Sequence, residues 1–252
     1  MPPLRLITIA PSHYCEKARW ALDHAGLPFT EEAHIPLVHA FHTMRSTRRQ
    51  SRTVPILVTP DELLTESTDI VRFADRHVDA ARRLYPDDQR PAVDELVASF
   101  DRTIGPLTRR LAYCHVLDHP QLFVSLMAAG VSPAERSVLR VAHPLQRRLL
   151  RRLFRISDRV RRELPGRLDE ALAPAAQLLA DGRPYLTGDR FTAADLTLVA
   201  LLQPVLLLRE PDLARLPADI AGLVARYRAT PVGAWAARVW GEHRHPGSLE
   251  ER

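Results

Sequence analysis

Lysine is almost missing from this chain. Of 35 lysine and arginine residues only Lys17 is a lysine, so the formal charge of +5 is an arginine excess. Aromatic residues are few, at 6%, and no basic–aromatic interleaving offers a stacking platform for bases. A nucleic-acid partner is therefore not expected. The two cysteines, Cys15 and Cys114, are too few for a disulfide framework and have no metal-ligand spacing. No metal is expected. The longest apolar run, Leu196 to Leu208, is broken by Gln203 and Pro204 and is too short for a bilayer. The sequence starting Met1-Pro2-Pro3-Leu4-Arg5 lacks the apolar stretch of a signal peptide. These absences leave a soluble cytoplasmic protein without stable membrane insertion as the expectation. What is present agrees: 252 residues with 46% hydrophobic and 26% charged content suffice for two ordinary globular domains.

Patterning along the chain divides it. Leu4 to Ala10 is an apolar, strand-like run, and Ala18, Ala21, Leu22 and Ala25 then recur at helical spacing before Gly26 and Pro28. Phe29 to Ile35 reads as a second strand. A basic, irregular stretch from His39 to Arg52 has room for a short helix. Val54–Thr59 and Leu63–Thr65 form a hairpin around Pro60-Asp61-Glu62, followed by a helix from Ser67 to His77. This mixed order predicts a small α/β domain over residues 1–82. Arg83 to Pro91, with its prolines and aspartates, reads as a linker. Residues 92–252 are helical in pattern, giving an α/β domain followed by an all-α domain.

Two helical features stand out in the second half. From Leu145 to Leu164, an apolar stripe (Leu149, Leu153, Ile156, Val160, Leu164) lies opposite Arg148, Arg151, Arg152, Arg155, Arg159 and Arg162. One continuous core-packed helix with a solvated arginine face is expected, with an anionic membrane or acidic partner as the other reading. Thr192 and Asp195 have capping-box spacing ahead of a long apolar run, which points to a buried helix and a folding role.

Three short segments carry chemistry. In Ser12-His13-Tyr14-Cys15-Glu16-Lys17-Ala18-Arg19, a hydroxyl directly precedes a helix, where the macrodipole and unpaired N–H groups favour an anion. Ser12 can donate to a thiolate held above it, or serve only as an N-cap. Cys15, three residues on, has the place of the second, shielded cysteine of a C-x-x-C redox motif, so a buried structural role is expected. In Thr53-Val54-Pro55-Ile56-Leu57, a proline inside a strand-like run suits a turn or a cis bond. Such a turn frees the main chain of Val54 to pair with an extended, peptide-like ligand. In Thr65-Glu66-Ser67-Thr68-Asp69-Ile70, Ser67 is expected at the N-cap of a helix whose N–H groups suit a carboxylate, and Glu66 can pair with an ammonium. Both readings also fit a plain helix cap.

Together these segments resemble the serine-type, theta- or delta-like glutathione transferases. S-x-x-C-x-x-x-R resembles the start of that family's thioredoxin-like domain, T-V-P-I-L its cis-proline turn, E-S-T-D-I its γ-glutamyl clamp, and G-D-R-F-T-A-A-D the capping-box helix of its C-terminal domain. The resemblance implies an N-terminal thioredoxin-like domain that binds glutathione as co-substrate. The all-helical domain would contribute a pocket for a small-molecule electrophile, and the chain would form a homodimer. It makes Ser12 the catalytic residue, with Val54, Pro55, Glu66 and Ser67 holding glutathione. His39, His42 and Arg52 are candidates for its glycyl end, and Arg109, Arg110 and Tyr113 for the acceptor pocket. Residues 105–180 match the family only in being helical. A glutathione-dependent thiol–disulfide or peroxide reductase or isomerase, using an exposed Cys15, remains as an alternative. So does a non-catalytic binding module.

Overall fold

The strand predicted first becomes the centre of a sheet. β1 (Leu4–Thr8) pairs in parallel with β2 (Phe29–Ala33) on one side and antiparallel with β3 (Ile56–Val58) on the other. β4 (Leu63–Leu64) pairs antiparallel with β3 and completes a four-stranded sheet of order β2-β1-β3-β4. Flanked on both edges, β1 buries Leu4, Leu6, Ile7 and Thr8, which explains its nearly continuous apolar run. The computed structural model describes residues 4–46, 51–209 and 213–245. Residues 47–50 of the predicted basic stretch lie outside these, as do the first three residues.

α1 (His13–His24) connects β1 to β2 and buries Cys15, Ala18, Trp20, Ala21 and Leu22. It ends in a Schellman motif: Gly26 takes a φ of 65°, its N–H bonds to Asp23 O, and Leu27 N–H bonds to Leu22 O. Only glycine adopts that conformation without cost. α2 (His39–Ser46) is the short helix anticipated in the basic stretch. α3 (Ser67–Asp75) follows β4 and buries Ile70, Val71, Phe73 and Ala74. This strand–helix–strand, strand–strand–helix order is thioredoxin-like.

The chain separates into two compact units. The first runs to Val78 and also takes in Pro120–Leu149; the second comprises Asp79–His119 and Leu150–Arg244. α4 (Arg90–Val116) therefore belongs to the second unit. α5 (Pro120–Met127) and most of α6 (Pro133–Leu153) join the first.

The helix expected over Leu145–Leu164 is broken. α6 ends at Leu153 and α7 runs Asp158–Leu179. The reason is local. Arg155 takes a φ of 50°, and N–H groups of Arg155 and Ile156 bond back to Arg152 O and Arg151 O in a second Schellman motif. Ser157 then caps α7 by accepting the Val160 N–H at 3.3 Å. The supposed core stripe splits with it: Leu145, Leu149 and Leu153 are exposed, whereas Leu164 is buried.

In the second unit α8 (Ala193–Leu206) is buried along almost its whole length. Its capping box is present: Asp195 accepts both the N–H and the hydroxyl of Thr192, and also the N–H of Leu186. α9 (Ala218–Arg228) and α10 (Pro231–His243) complete the helical set. Among the described residues no helix is long and apolar enough to cross a membrane.

Candidate functional site

Strand register decides which loops meet. β1 ends at Thr8, and its penultimate residue Ile7 lies opposite Ile56, the first residue of β3. Val54-Pro55 therefore sits at the same end of the sheet as the turn leading to Ser12. β4 reverses again: Leu64, its last residue, lies opposite Leu57. The start of α3 returns to that end as well. All five residues singled out in the sequence (Ser12, Val54, Pro55, Glu66 and Ser67) thus belong to one end of one sheet.

Ser12 is the N-cap of α1. Its backbone is extended (φ −70°, ψ 122°), its hydroxyl oxygen accepts the Cys15 N–H at 3.4 Å, and it is half-buried. Accepting through oxygen still leaves the hydroxyl a proton to donate, and the Cys15 thiol is one acceptor within its reach. Cys15 is fully buried, and burial pushes its thiol up, against smaller opposing effects of Arg19 and Ser12. A shielded, un-ionised thiol is a poor nucleophile. His13 is buried against Tyr14, their rings 4.5 Å apart.

The Val54–Pro55 bond is cis, with Pro55 buried and Val54 half-buried. At α3 the sequence expectation needs correcting: Glu66, not Ser67, is the N-cap. Glu66 holds the extended backbone of that position (φ −119°, ψ 136°) without a side-chain capping bond, and Ser67 is the first helical residue. Glu66 is exposed and Ser67 buried. An exposed carboxylate therefore stands beside the first turn of a helix, whose N–H groups carry partial positive charge.

Two interactions position these helices, and the sequence reading assigned neither. Lys17, fully buried on α1, donates from Nζ to Thr68 Oγ1 at 2.7 Å, tying α1 to the first turn of α3. Arg19 pairs with Glu31 of β2 at 2.6 Å and with Glu16 at 3.4 Å, and Thr8 donates to Glu31 at 2.6 Å. Burial alone would raise the Glu31 carboxyl, but its bonds to Arg19 and Thr8 outweigh it and hold the group below its ordinary value. The adjacent acids Glu31-Glu32 inside a strand were the available signal, since strands seldom carry buried acids without partners.

Of the candidates for the glycyl end, His39 opens α2, and burial lowers its pKa. His42 stacks on His34 at 3.6 Å, and Arg52 is exposed. Arg109, Arg110 and Tyr113 lie in the second unit on α4. Tyr113 stacks on Phe154 at 4.6 Å and burial pushes its hydroxyl up to about 12; Arg110 donates to Arg155 O.

Residues 6–82 match the family described as glutathione S-transferase, N-terminal domain. Residues 6–78 of that match lie in the first unit. Over the longer chain the fold is that of solved glutathione S-transferases. Glutathione S-transferase I from mais, in complex with an atrazine glutathione conjugate, is 19% identical with a TM-score of 0.62, over 95% of this chain and 92% of that one. A Methylobacterium radiotolerans glutathione S-transferase in complex with glutathione sulfonate is 23% identical with a TM-score of 0.52, over 93% and 94%. The beta-etherase LigF from Sphingobium sp. strain SYK-6 is 18% identical with a TM-score of 0.60, over 95% and 98%. No curated protein matches in sequence.

Proposed function

We propose that the chain is a glutathione transferase: it binds glutathione in the first unit and activates its thiolate beside Ser12 for attack on a small electrophile. The observation that carries this reading is the convergence of two helix N-termini at one end of the sheet. α1 offers the Ser12 hydroxyl there, and Lys17–Thr68 ties α1 to the start of α3. Solved structures of this fold hold glutathione sulfonate or a glutathione conjugate, which supports glutathione as the co-substrate.

Each part of the ligand then has a partner of suitable chemistry. The γ-glutamyl carboxylate accepts from the first turn of α3 and from Ser67, and Glu66 faces its ammonium. The main chain of Val54 pairs with the cysteinyl backbone, as an added strand would. Ser12 donates to the sulfur, which stabilises the thiolate and lowers its pKa. A free thiol of pKa about 8.5 is roughly 3% ionised at pH 7, so full ionisation gains at most about thirtyfold. Some of that gain is lost as nucleophilicity falls with basicity. Most of the acceleration must therefore come from holding thiolate and electrophilic carbon together. In the transfer step the sulfur lone pair forms the new S–C bond and the leaving group departs with its bonding electrons. A reductase built on Cys15 is disfavoured because that thiol is buried.

Calorimetry with glutathione tests the clamp. Ser67→Ala and Glu66→Ala are each expected to weaken binding by about 1–3 kcal/mol, the scale of a hydrogen bond to a charged group. Unchanged affinity in both variants contradicts the assignment.

A further inference from the structure

At the same end of the sheet, where β2 finishes beside β1 with Ala33 opposite Thr8, the first unit also gathers two imidazoles and two carboxylates. His34, directly after the strand, is buried, and each ring nitrogen faces a carboxylate: Nδ1 lies 2.7 Å from Glu135 Oε1 and Nε2 lies 3.1 Å from Glu32 Oε1. His42, on α2, has Nδ1 3.9 Å from the same Glu32 oxygen. One ligand atom each from Glu32, His34 and His42 lies within 4.8 Å of the others.

We propose that Glu32, His34 and His42 form a binding site for a divalent first-row transition ion, for which Zn²⁺ is the reference. The donor set is two imidazole nitrogens and one carboxylate oxygen, a combination that suits Zn²⁺ with water in the fourth position. A tetrahedral ion with bonds of about 2.05 Å needs its ligand atoms about 3.3 Å apart. The separations of 3.1 and 3.9 Å from Glu32 Oε1 bracket that value.

The surroundings already orient two of the three ligands. Glu135 Oε1 accepts from His34 Nδ1, while its Oε2 accepts the Ile35 N–H at 2.9 Å, so the carboxylate that fixes the ring is itself fixed. This is the carboxylate–histidine relay that directs the other ring nitrogen to an ion. Arg5 holds the second oxygen of Glu32 at 2.7 Å and leaves Oε1 for the ion. His42 is the ligand that must move. It stacks on His34 with ring centroids 3.6 Å apart and planes 21° apart, so the two lone pairs do not yet converge. Its side chain is 33% exposed and can turn out of the stack.

The site is testable on the full chain without an affinity tag, stripped with chelator and titrated with Zn²⁺ by calorimetry, with Co²⁺ as a spectroscopic probe. One ion per chain is expected, with visible d–d bands for Co²⁺ and a melting temperature raised by the ion. Glu135→Gln should weaken binding about 10–100-fold, as loss of an orienting partner does. Glu32→Gln should abolish stoichiometric binding. His42→Phe keeps a ring on His34 but no nitrogen, so it should lose the ion and keep the ion-free melting temperature. Absence of saturable binding overturns the proposal, as does binding unaffected by both His42→Phe and Glu32→Gln.

Discussion

Ser12 Oγ accepts the main-chain N–H of Cys15 at 3.4 Å, and this bond separates the roles of the two residues. Ser12 stands half-buried at the mouth of α1, its hydroxyl also within hydrogen-bond reach of the Cys15 thiol, whereas Cys15 itself is fully buried in the core. Cys15→Ala should therefore cost about 1 kcal/mol of stability, the scale of one buried methylene-sized group, and leave transferase turnover nearly intact. In the native chain Cys15 should resist alkylation until the protein unfolds. Rapid labelling of Cys15 in the native state, read by mass spectrometry, would contradict the shielded position.

Arg19 and Glu31 dock α1 on β2, with side chains 6% and 19% exposed. Glu31→Gln leaves Arg19 with Glu16 as its remaining acidic partner at 3.4 Å. It should cost about 3 kcal/mol, the low end for breaking a buried pair. Because the folded Glu31 pKa lies below its ordinary value of 4.5, the wild-type contribution is complete above that pH. It is lost as pH falls through the folded value. Denaturant melts from neutral to acid pH should show this loss in the wild type and not in Glu31→Gln.

Asp195 acts in the opposite direction. Burial raises its pKa from 3.8 to about 6 despite the hydrogen bonds from Leu186 and Thr192. The folded state thus holds the proton more tightly than the unfolded one, and stability falls by about 3 kcal/mol as pH rises from near 4 to about 6. Above that it should be level. Asp195→Asn should abolish this slope. It should also lower the melting temperature at every pH, because one of two backbone N–H groups then faces an amide NH₂.

The homodimer implied by the family resemblance is open to direct measurement. Sedimentation at low micromolar concentration should give twice the chain mass of 28.4 kDa. A specific dimer should bury more than about 1,000 Å² and persist on dilution. A lone 28.4 kDa species would remove it. The proposed thiol site would stand, since Ser12, Val54, Glu66 and Ser67 all come from one chain.

Features with strong local causes were legible in the sequence. Apolar runs and turn residues placed β1, α1, the β3–β4 hairpin and α3, and Thr192–Asp195 announced the start of α8. The break between α6 and α7 escaped because the apolar period continues through it. An arginine, not a glycine, takes the left-handed position at 155, and the cap at Ser157 looked like one more polar residue. The N-cap at Glu66 escaped because serine is the better capping residue, while backbone geometry put the cap one position earlier. The Arg19–Glu31 pair and the His34–Glu135 bond join residues 12 and 101 positions apart. Periodicity carries no information about such partners.

The central claim, that Ser12 stabilises a bound thiolate, is tested most directly by ultraviolet titration of the glutathione complex. The wild-type complex should develop thiolate absorbance at a pH clearly below that of free glutathione, near the ordinary thiol value of about 8.5. Ser12→Ala should bring the transition back up towards that value while Cys15→Ala leaves it in place. A wild-type complex that titrates like free glutathione, or a Ser12→Ala complex that titrates like wild type, would contradict the account.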